Sequence, residues 1–235
     1  MISNTIVIIP AFNEESSITS VVESIRAALN DVDIVVIDDG STDNTVVYAK
    51  NAGAKVLSLP CNMGYGVAIQ TGYKYAMRLH YQYLVQMDAD GQHEAEDINV
   101  LLNTLSQCNC DIVLGSRYLG NSTYCQTYYR KIGTIVFKFL LCVYSGKKIT
   151  DPTTGFQAMN RRVIELFIKD LFPCDYPDAD ILFLLAKLGY RITEVPVRMY
   201  TNKSGKSMHR NPLHAFYYVF KMLLSMTLTL LRKHI

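Results

Sequence analysis

Two carboxylates two residues apart, Asp88 and Asp90, follow the short apolar run Tyr83-Leu84-Val85-Gln86-Met87 and run straight into Gly91-Gln92-His93. In an extended segment, side chains two apart point to the same side, and the glycine then permits a tight turn. Paired hard oxygens at a strand end suit Mg²⁺ or Mn²⁺, which keeps several waters and takes further ligands from phosphates. A metal-bridged diphosphate is the chemistry this points to. An EF-hand loop is excluded because Gly91 stands fourth from Asp88, where that loop needs its glycine sixth. An aspartyl-phosphate phosphatase would carry a hydroxyl residue where this chain has Gln92, and would carry it on an early strand. The plain structural alternative is a solvated acidic turn.

Other polar turns fall where ligands of α/β sheets bind. Asp38-Asp39-Gly40-Ser41-Thr42-Asp43 closes the apolar run 33–37, and Pro10-Ala11-Phe12-Asn13-Glu14 closes the run 5–9. Glu14 also suits a helix N-terminus, and either Asp38 or Asp39 could serve an Asx-type turn. Guanidinium is the natural phosphate clamp, and two candidates stand out: Arg117, just past the apolar run 111–115, and Arg130, just before an apolar helical stretch. Gly64-Tyr65-Gly66 follows a strand but lacks the third glycine of a dinucleotide fingerprint, so a Rossmann cofactor site is not expected.

The elements that must position these groups alternate. Strands are expected at 5–9, 33–37, 54–59, 83–87, 111–115 and 190–197, with Pro10 ending the first. Helices are expected at 18–29, from Thr42 or Asp43 through Ala49, at 62–79, 95–106, 161–169 and 178–188. All-apolar β-branched strands separated by amphipathic helices imply a mostly parallel sheet with helices on both faces, its strand-end turns along one edge. The stretch 131–144, with apolar residues at three and four, reads as a buried helix.

Ile8-Ile9-Pro10-Ala11-Phe12-Asn13-Glu14, Val36-Ile37-Asp38-Asp39-Gly40-Ser41, Asn62-Met63-Gly64, Asp88-Ala89-Asp90-Gly91-Gln92-His93 and Gly115-Ser116-Arg117-Tyr118 occur in this order. Together, over residues 5–210, they resemble the inverting family 2 glycosyltransferases of GT-A fold. Within that family they are similar to the branch of dolichyl-phosphate mannose synthase and bacterial polyprenyl-phosphate sugar transferases. The resemblance implies an α/β fold: a single Rossmann-like GT-A domain over 1–210, followed by a membrane-associating helix over 211–235.

It further implies that Pro10, Ala11, Asn13, Glu14 and Asp38 hold the base and ribose of a nucleotide sugar, and that Asp88, Asp90 and Gln92 surround Mg²⁺ or Mn²⁺. Asp88 thereby also serves the nucleotide, and Asp90, Arg117 and Asp151 form the catalytic set. Arg117 and Arg130 would meet the acceptor's phosphate, and Asp151, in Asp151-Pro152-Thr153-Thr154-Gly155-Phe156, lies in the acceptor-side loop. The basic segment 200–210 would be a lid over the diphosphate. Asn202 and Met208 stand where the synthase pattern has cations, so Lys206, with Lys203, is the expected substitute.

An inverting, metal-dependent transfer to undecaprenyl or dolichyl phosphate is the function implied, from a UDP-sugar in preference to GDP-mannose. A sugar-hydroxyl acceptor is the alternative and would need a base, Asp151 or Asp180. A non-catalytic nucleotide-sugar-binding scaffold is the alternative of another class.

Composition agrees with one globular domain: 235 residues, 49% apolar and 19% charged. Six cysteines show no CxxC pair and read as cytosolic thiols filling the core. From Arg198 to Ile235 there are seven Lys or Arg and no acid. A tail of this kind, apolar over 212–231 with Lys221 inside, is expected to lie on an anionic membrane as an amphipathic helix. Docking on a small integral membrane protein is its alternative. The expected location is cytoplasmic, attached peripherally to the inner face of the membrane, and no nucleic-acid partner is expected.

Overall fold

In the computed structural model the described residues are 4–119, 142, 149–170, 172–173, 177, 179–200, 224–225, 227 and 229. The stretch 131–144 thus lies outside them except for Cys142, as do Arg130 and the segment 201–210.

The β-branched run Thr5–Ala11 forms β1 and is buried along its whole length. It continues through Pro10, which pairs with Ile37, so the proline does not end it. Asp33–Asp38 (β2), Lys55–Ser58 (β3) and Tyr83–Gln86 (β4) join it in parallel, in the order β3-β2-β1-β4. Between them run the helices Ile18–Ala28 (α1), Thr45–Asn51 (α2) and Tyr65–Arg78 (α3). Asp97–Gln107 (α4) then leads into Ile112–Ser116 (β5).

Side chains alternate across the sheet as the strand period requires. Ile6, Ile8, Val35, Ile37 and Leu84 face one core, shared with α3; Val7, Ile9, Val36 and Val85 face the other, shared with α1 and α4. The helices therefore cover both faces, and the strand ends lie along one edge.

The pattern of the sequence missed one strand. Gln157–Asn160 (β6) inserts between β4 and β5 and runs antiparallel to both; with Ile192–Pro196 (β7) it completes a seven-stranded sheet in the order β3-β2-β1-β4-β6-β5-β7. At four residues, with no β-branched side chain, it has neither the period nor the composition of a strand. Its direction matters, because an antiparallel strand begins where its parallel neighbours end. Gln86 pairs with Gln157, so the loop 151–156 arrives at the edge where β4 delivers Asp88. Arg161–Phe167 (α5), Ala179–Lys187 (α6) and Ile192–Pro196 (β7) complete the described elements.

Helix α6 is apolar on all sides, with Ile181 through Leu185 buried. Part of its cover comes from the tail: the Ser225 hydroxyl donates to the buried Asp180 carboxylate at 2.8 Å, and the Lys187 ammonium donates to the carbonyl of Thr229. The tail is thereby tied to the domain. Cys61, Cys108 and Cys142 are exposed thiols and only Cys110 is buried among the described cysteines. Core filling is thus the wrong reading for three of them. No helix among the described residues is long and apolar enough to cross a membrane.

Ser225→Ala removes a donor from a buried carboxylate and should lower unfolding free energy by about 1–2 kcal/mol, read from the urea midpoint. An unchanged midpoint would show that the tail does not support α6.

Candidate active site

The edge of the sheet collects polar groups because each parallel strand stops in a turn there. At the end of β1, Asn13 adopts a left-handed backbone, φ 55°, which Asn tolerates better than most residues. Its amide donates to Ser41 Oγ at 3.0 Å, and its own Oδ1 accepts from the amide of Thr42 at 2.9 Å. The first two strand-end turns are thus laced together. Pro10 and Ala11 lie beside Ile37 and Asp38 in register. The Glu14 carboxylate accepts from Ser17 Oγ at 2.8 Å just ahead of α1.

The neighbouring acids Asp38 and Asp39 divide their work. Asp39 accepts the amides of Met63 at 2.7 Å and Gly64 at 3.0 Å, pinning the loop that opens α3, so it is the structural member. Asp38 accepts the amide of Ser41 at 3.0 Å through Oδ1 in an Asx-type turn.

Past β4, Gly91 takes φ 71°, the left-handed conformation that the tight turn requires. The amide of Gln92 donates to Asp90 Oδ1 at 3.0 Å and so aims that carboxylate. Asp88 is held from several sides. Tyr65 Oη donates to its Oδ1 at 3.0 Å; Gln86 Nε2 donates to the same hydroxyl at 2.9 Å, and Tyr73 in the core donates to Gln86 Oε1. His93, buried and stacked on Phe156 with ring centroids 4.8 Å apart, brings Nε2 to 3.5 Å from Asp88 Oδ2. Beyond that contact, neither ring nitrogen of His93 has a hydrogen-bond partner among the described residues.

These environments separate the two acids. Burial alone would raise Asp88, but His93, the Tyr65 hydroxyl and the charge of Arg117 outweigh it and hold the carboxyl below its usual range. Burial and the Asp88 charge push Asp90 up to about 6. Such a pair carries negative charge that no described cation neutralises at its outer member, which is the donor set a divalent ion fits: Asp88 and Asp90, with the Gln92 amide alongside. Among the described residues no three His, Cys, Asp or Glu side chains gather as a ready-made cage.

The loop 150–156 forms the facing wall. Asp151 has no solvent exposure and takes a two-toothed grip from Arg117, Nε to Oδ2 at 2.6 Å and Nη2 to Oδ1 at 2.7 Å, with the Arg117 amide adding a third bond at 3.1 Å. Arg117 Nη2 also reaches Thr153 Oγ1 at 3.0 Å. Glu194 on β7 accepts the amides of Thr150 and Asp151 at 2.7 and 2.8 Å. Asp151, one candidate base, is fully buried and clamped by the Arg117 guanidinium. Asp180, the other candidate base, lies buried in the first turn of α6, where its carboxylate accepts from Ser225. Arg117, expected to face the acceptor, is turned onto Asp151.

A third segment straps across the metal loop. The Tyr200 amide donates to the carbonyl of Gln92 at 2.8 Å, its hydroxyl to Glu94 at 2.7 Å, and the Arg198 amide to Asp97 at 2.7 Å. Lys206, Lys203, Asn202 and Met208 follow this strap, and they, like Arg130, lie outside the described residues. Tyr65, His93 and Gly155 carried no role in the sequence reading. Their partners reveal one: Tyr65 and Gly155 meet Asp88 across long gaps in the chain, and His93, though in the same motif, turns back onto Asp88 only through the tight turn at Gly91.

The raised Asp90 acid has a testable sign. The folded chain binds this proton more tightly than the unfolded chain, so the group's contribution to stability is lost as pH rises from about 4 to 6 and stays lost above that. Asp90→Asn should therefore raise the thermal midpoint in EDTA at pH 7.5 and leave it little changed at pH 4. A lowered midpoint at pH 7.5 would remove the charge repulsion from the site.

Comparison with known proteins accounts for this arrangement. Residues 6–167 match the family model for glycosyl transferase family 2. The chain is 31% identical over 209 residues to an undecaprenyl-phosphate mannosyltransferase of Micrococcus luteus, covering 85% of each protein. It is 30% identical over 218 residues to a polyprenol monophosphomannose synthase of Mycolicibacterium smegmatis, covering 86% of this chain and 80% of that one. Among solved structures, glucosyl-3-phosphoglycerate synthase of Mycobacterium tuberculosis superposes with a TM-score of 0.70 at 22% identity, over 96% of this chain and 79% of that one. The same synthase has been crystallised with Mn²⁺ and UDP-glucose. With more than half its length matched by the family model, the chain belongs to glycosyl transferase family 2 and is a glycosyltransferase of GT-A fold.

Proposed function

We propose that this glycosyltransferase moves a sugar from a nucleoside diphosphate to a polyprenyl phosphate, with inversion at the anomeric carbon. The observation that carries the reading is the burial of both acids that could have served a hydroxyl acceptor: Asp151 is clamped by Arg117 and Asp180 lies under the tail. A lipid phosphate is already an anionic nucleophile near neutral pH and needs no strong base. The names of the two sequence relatives support the same acceptor.

In this reading Pro10, Ala11, Asn13, Glu14 and Asp38 hold base and ribose in the laced turns after β1 and β2. Asp88, Asp90 and Gln92 hold Mg²⁺ or Mn²⁺. When bound, the divalent ion neutralises charge that builds on the departing diphosphate. Lys206, and Arg130 on the acceptor side, supply the remaining cations. Arg117 and Asp151 act by holding the facing loop in place. An oxygen of the acceptor phosphate forms its bond to the anomeric carbon as the bond from that carbon to the diphosphate breaks, and the nucleoside diphosphate leaves with the electron pair. Alignment of the two reactants supplies much of the rate. A UDP-sugar is the preferred donor, supported by the complex of the solved structural relative.

In the same reading the basic tail, which carries Lys221, Arg232 and Lys233, would bring the enzyme to the cytoplasmic face of a membrane by attraction to anionic headgroups. Docking on a small membrane protein would use the same surface.

Asp90→Ala, or wild type in excess EDTA, should lose transfer of radiolabelled sugar into organic-extractable product when UDP-sugars and GDP-mannose are tested with polyprenyl phosphate. Label appearing only in water-soluble glycan would decide for the hydroxyl acceptor, and full activity in EDTA would remove the metal. Because deletion of the tail also strips Asp180 of a partner, membrane contact is better tested by Arg232→Ser/Lys233→Ser, which should reduce co-sedimentation with anionic liposomes. Undiminished sedimentation would place the contact elsewhere.

A further inference from the structure

Gly155 sits in the loop that leads into β6, and a side chain there would collide with the metal site. A Cβ built on it would lie 2.6 Å from Asp88 Oδ2, 2.9 Å from Oδ1 and 3.0 Å from Cγ. All three are carboxylate atoms of one residue. The backbone at Gly155 is not in the left-handed region, unlike that of Gly91, so alanine is compatible with its conformation. What glycine provides at this position is room.

Which side would yield to an added methyl depends on how firmly each is held. The loop is fixed along its length. Arg117 grips Asp151 and Thr153, and Glu194 holds the amides of Thr150 and Asp151. Thr154 accepts the amide of Phe156 through Oγ1 at 3.2 Å and the Gln157 side chain through its carbonyl at 2.7 Å. Phe156 is wholly buried and its carbonyl accepts the amide of Gly115 at 2.9 Å. Asp88, in contrast, ends in a carboxylate that rotates about a single bond, and its opposite oxygen is engaged by Tyr65 at 3.0 Å. The carboxylate must move and the loop must stay.

We propose that Gly155 is a positioning residue for the metal site: its missing side chain, in a loop that cannot retreat, and the Tyr65 hydroxyl on the other side together hold the Asp88 carboxylate in the orientation that binds the ion. The inference rests on the reading of Asp88 and Asp90 as metal ligands. It extends that reading to a part of the chain with no ligand of its own. The acceptor-side loop thereby sets the geometry of the donor-side ion, and the buried pair Arg117–Asp151 acts on the metal through Gly155.

The test is Mn²⁺ titration, followed by the electron paramagnetic resonance of free Mn²⁺, alongside thermal midpoints in EDTA, for wild type, Asp88→Asn, Gly155→Ala and Tyr65→Phe. Outer-shell changes of this kind typically weaken metal binding by about ten- to a hundredfold. Gly155→Ala is expected to weaken Mn²⁺ binding by that much while its midpoint in EDTA falls no further than that of Tyr65→Phe, since the displaced carboxylate gives up the same hydrogen bond. Tyr65→Phe, which adds no atom, should weaken binding in the same direction. If Asp88→Asn binds Mn²⁺ as wild type does, the metal assignment itself fails. If Asp88→Asn loses binding but Gly155→Ala or Tyr65→Phe keeps wild-type affinity, the positioning role is overturned. A Gly155→Ala midpoint that falls well below that of Tyr65→Phe in EDTA also overturns it, because the glycine would then be serving the packing of the loop.

Discussion

A carboxylate without access to water is stable only if its charge is answered, and Asp151 is answered by Arg117 in a two-toothed pair between the end of β5 and the loop entering β6. Removing one partner from such a pair typically costs about 3–5 kcal/mol, because the other is left buried and alone. The pair holds more than itself. With Glu194 it holds Thr150, Asp151 and Thr153, in the loop whose Gly155 faces Asp88. The proposed donor site on the parallel half of the sheet would therefore depend on an ion pair drawn from the other half.

Within the site the two acids are unequal, and the inequality has a function in the chemistry. Asp88 is held by Tyr65 and lies beside His93, which keep its carboxyl below the usual range, whereas for Asp90 the Gln92 amide and the His93 charge do not offset burial and the neighbouring Asp88. In the proposed reading the first would be a ready ligand, and an arriving cation would relieve the second. Binding the ion would then remove a repulsion already present in the folded chain.

Much of this was legible in the sequence, for local reasons. The runs at β1, β2 and β5 are apolar and β-branched because they are buried on both faces, and the polar turns that end them stand out for the same reason. Asp88-Ala89-Asp90-Gly91 announces a strand end by spacing alone. The parts that were not legible are those made by distant pairing. β6 is four residues of ordinary composition whose direction is set by its neighbours. Arg117 looked like a free phosphate clamp because nothing near it in the chain predicts Asp151. The choice between Asp38 and Asp39 could not be made until the amides of Met63 and Gly64 were seen on Asp39. Gly155 had no reason to be noticed, since its importance is the space next to a residue on another strand.

The antiparallel strand also bears on how the chain is made. Synthesis proceeds from the N-terminus, so β1 to β4 can assemble while the β6 edge of β4 still has no partner. An unpaired strand edge is a template for unwanted association. Here that edge runs straight into Asp88 and Asp90, whose charges, unneutralised and close together, discourage another strand from extending the sheet past them. Under the proposed metal reading, the two acids that would take a cation in the finished enzyme would also guard the nascent chain against mispairing until Gln157–Asn160 pairs with β4.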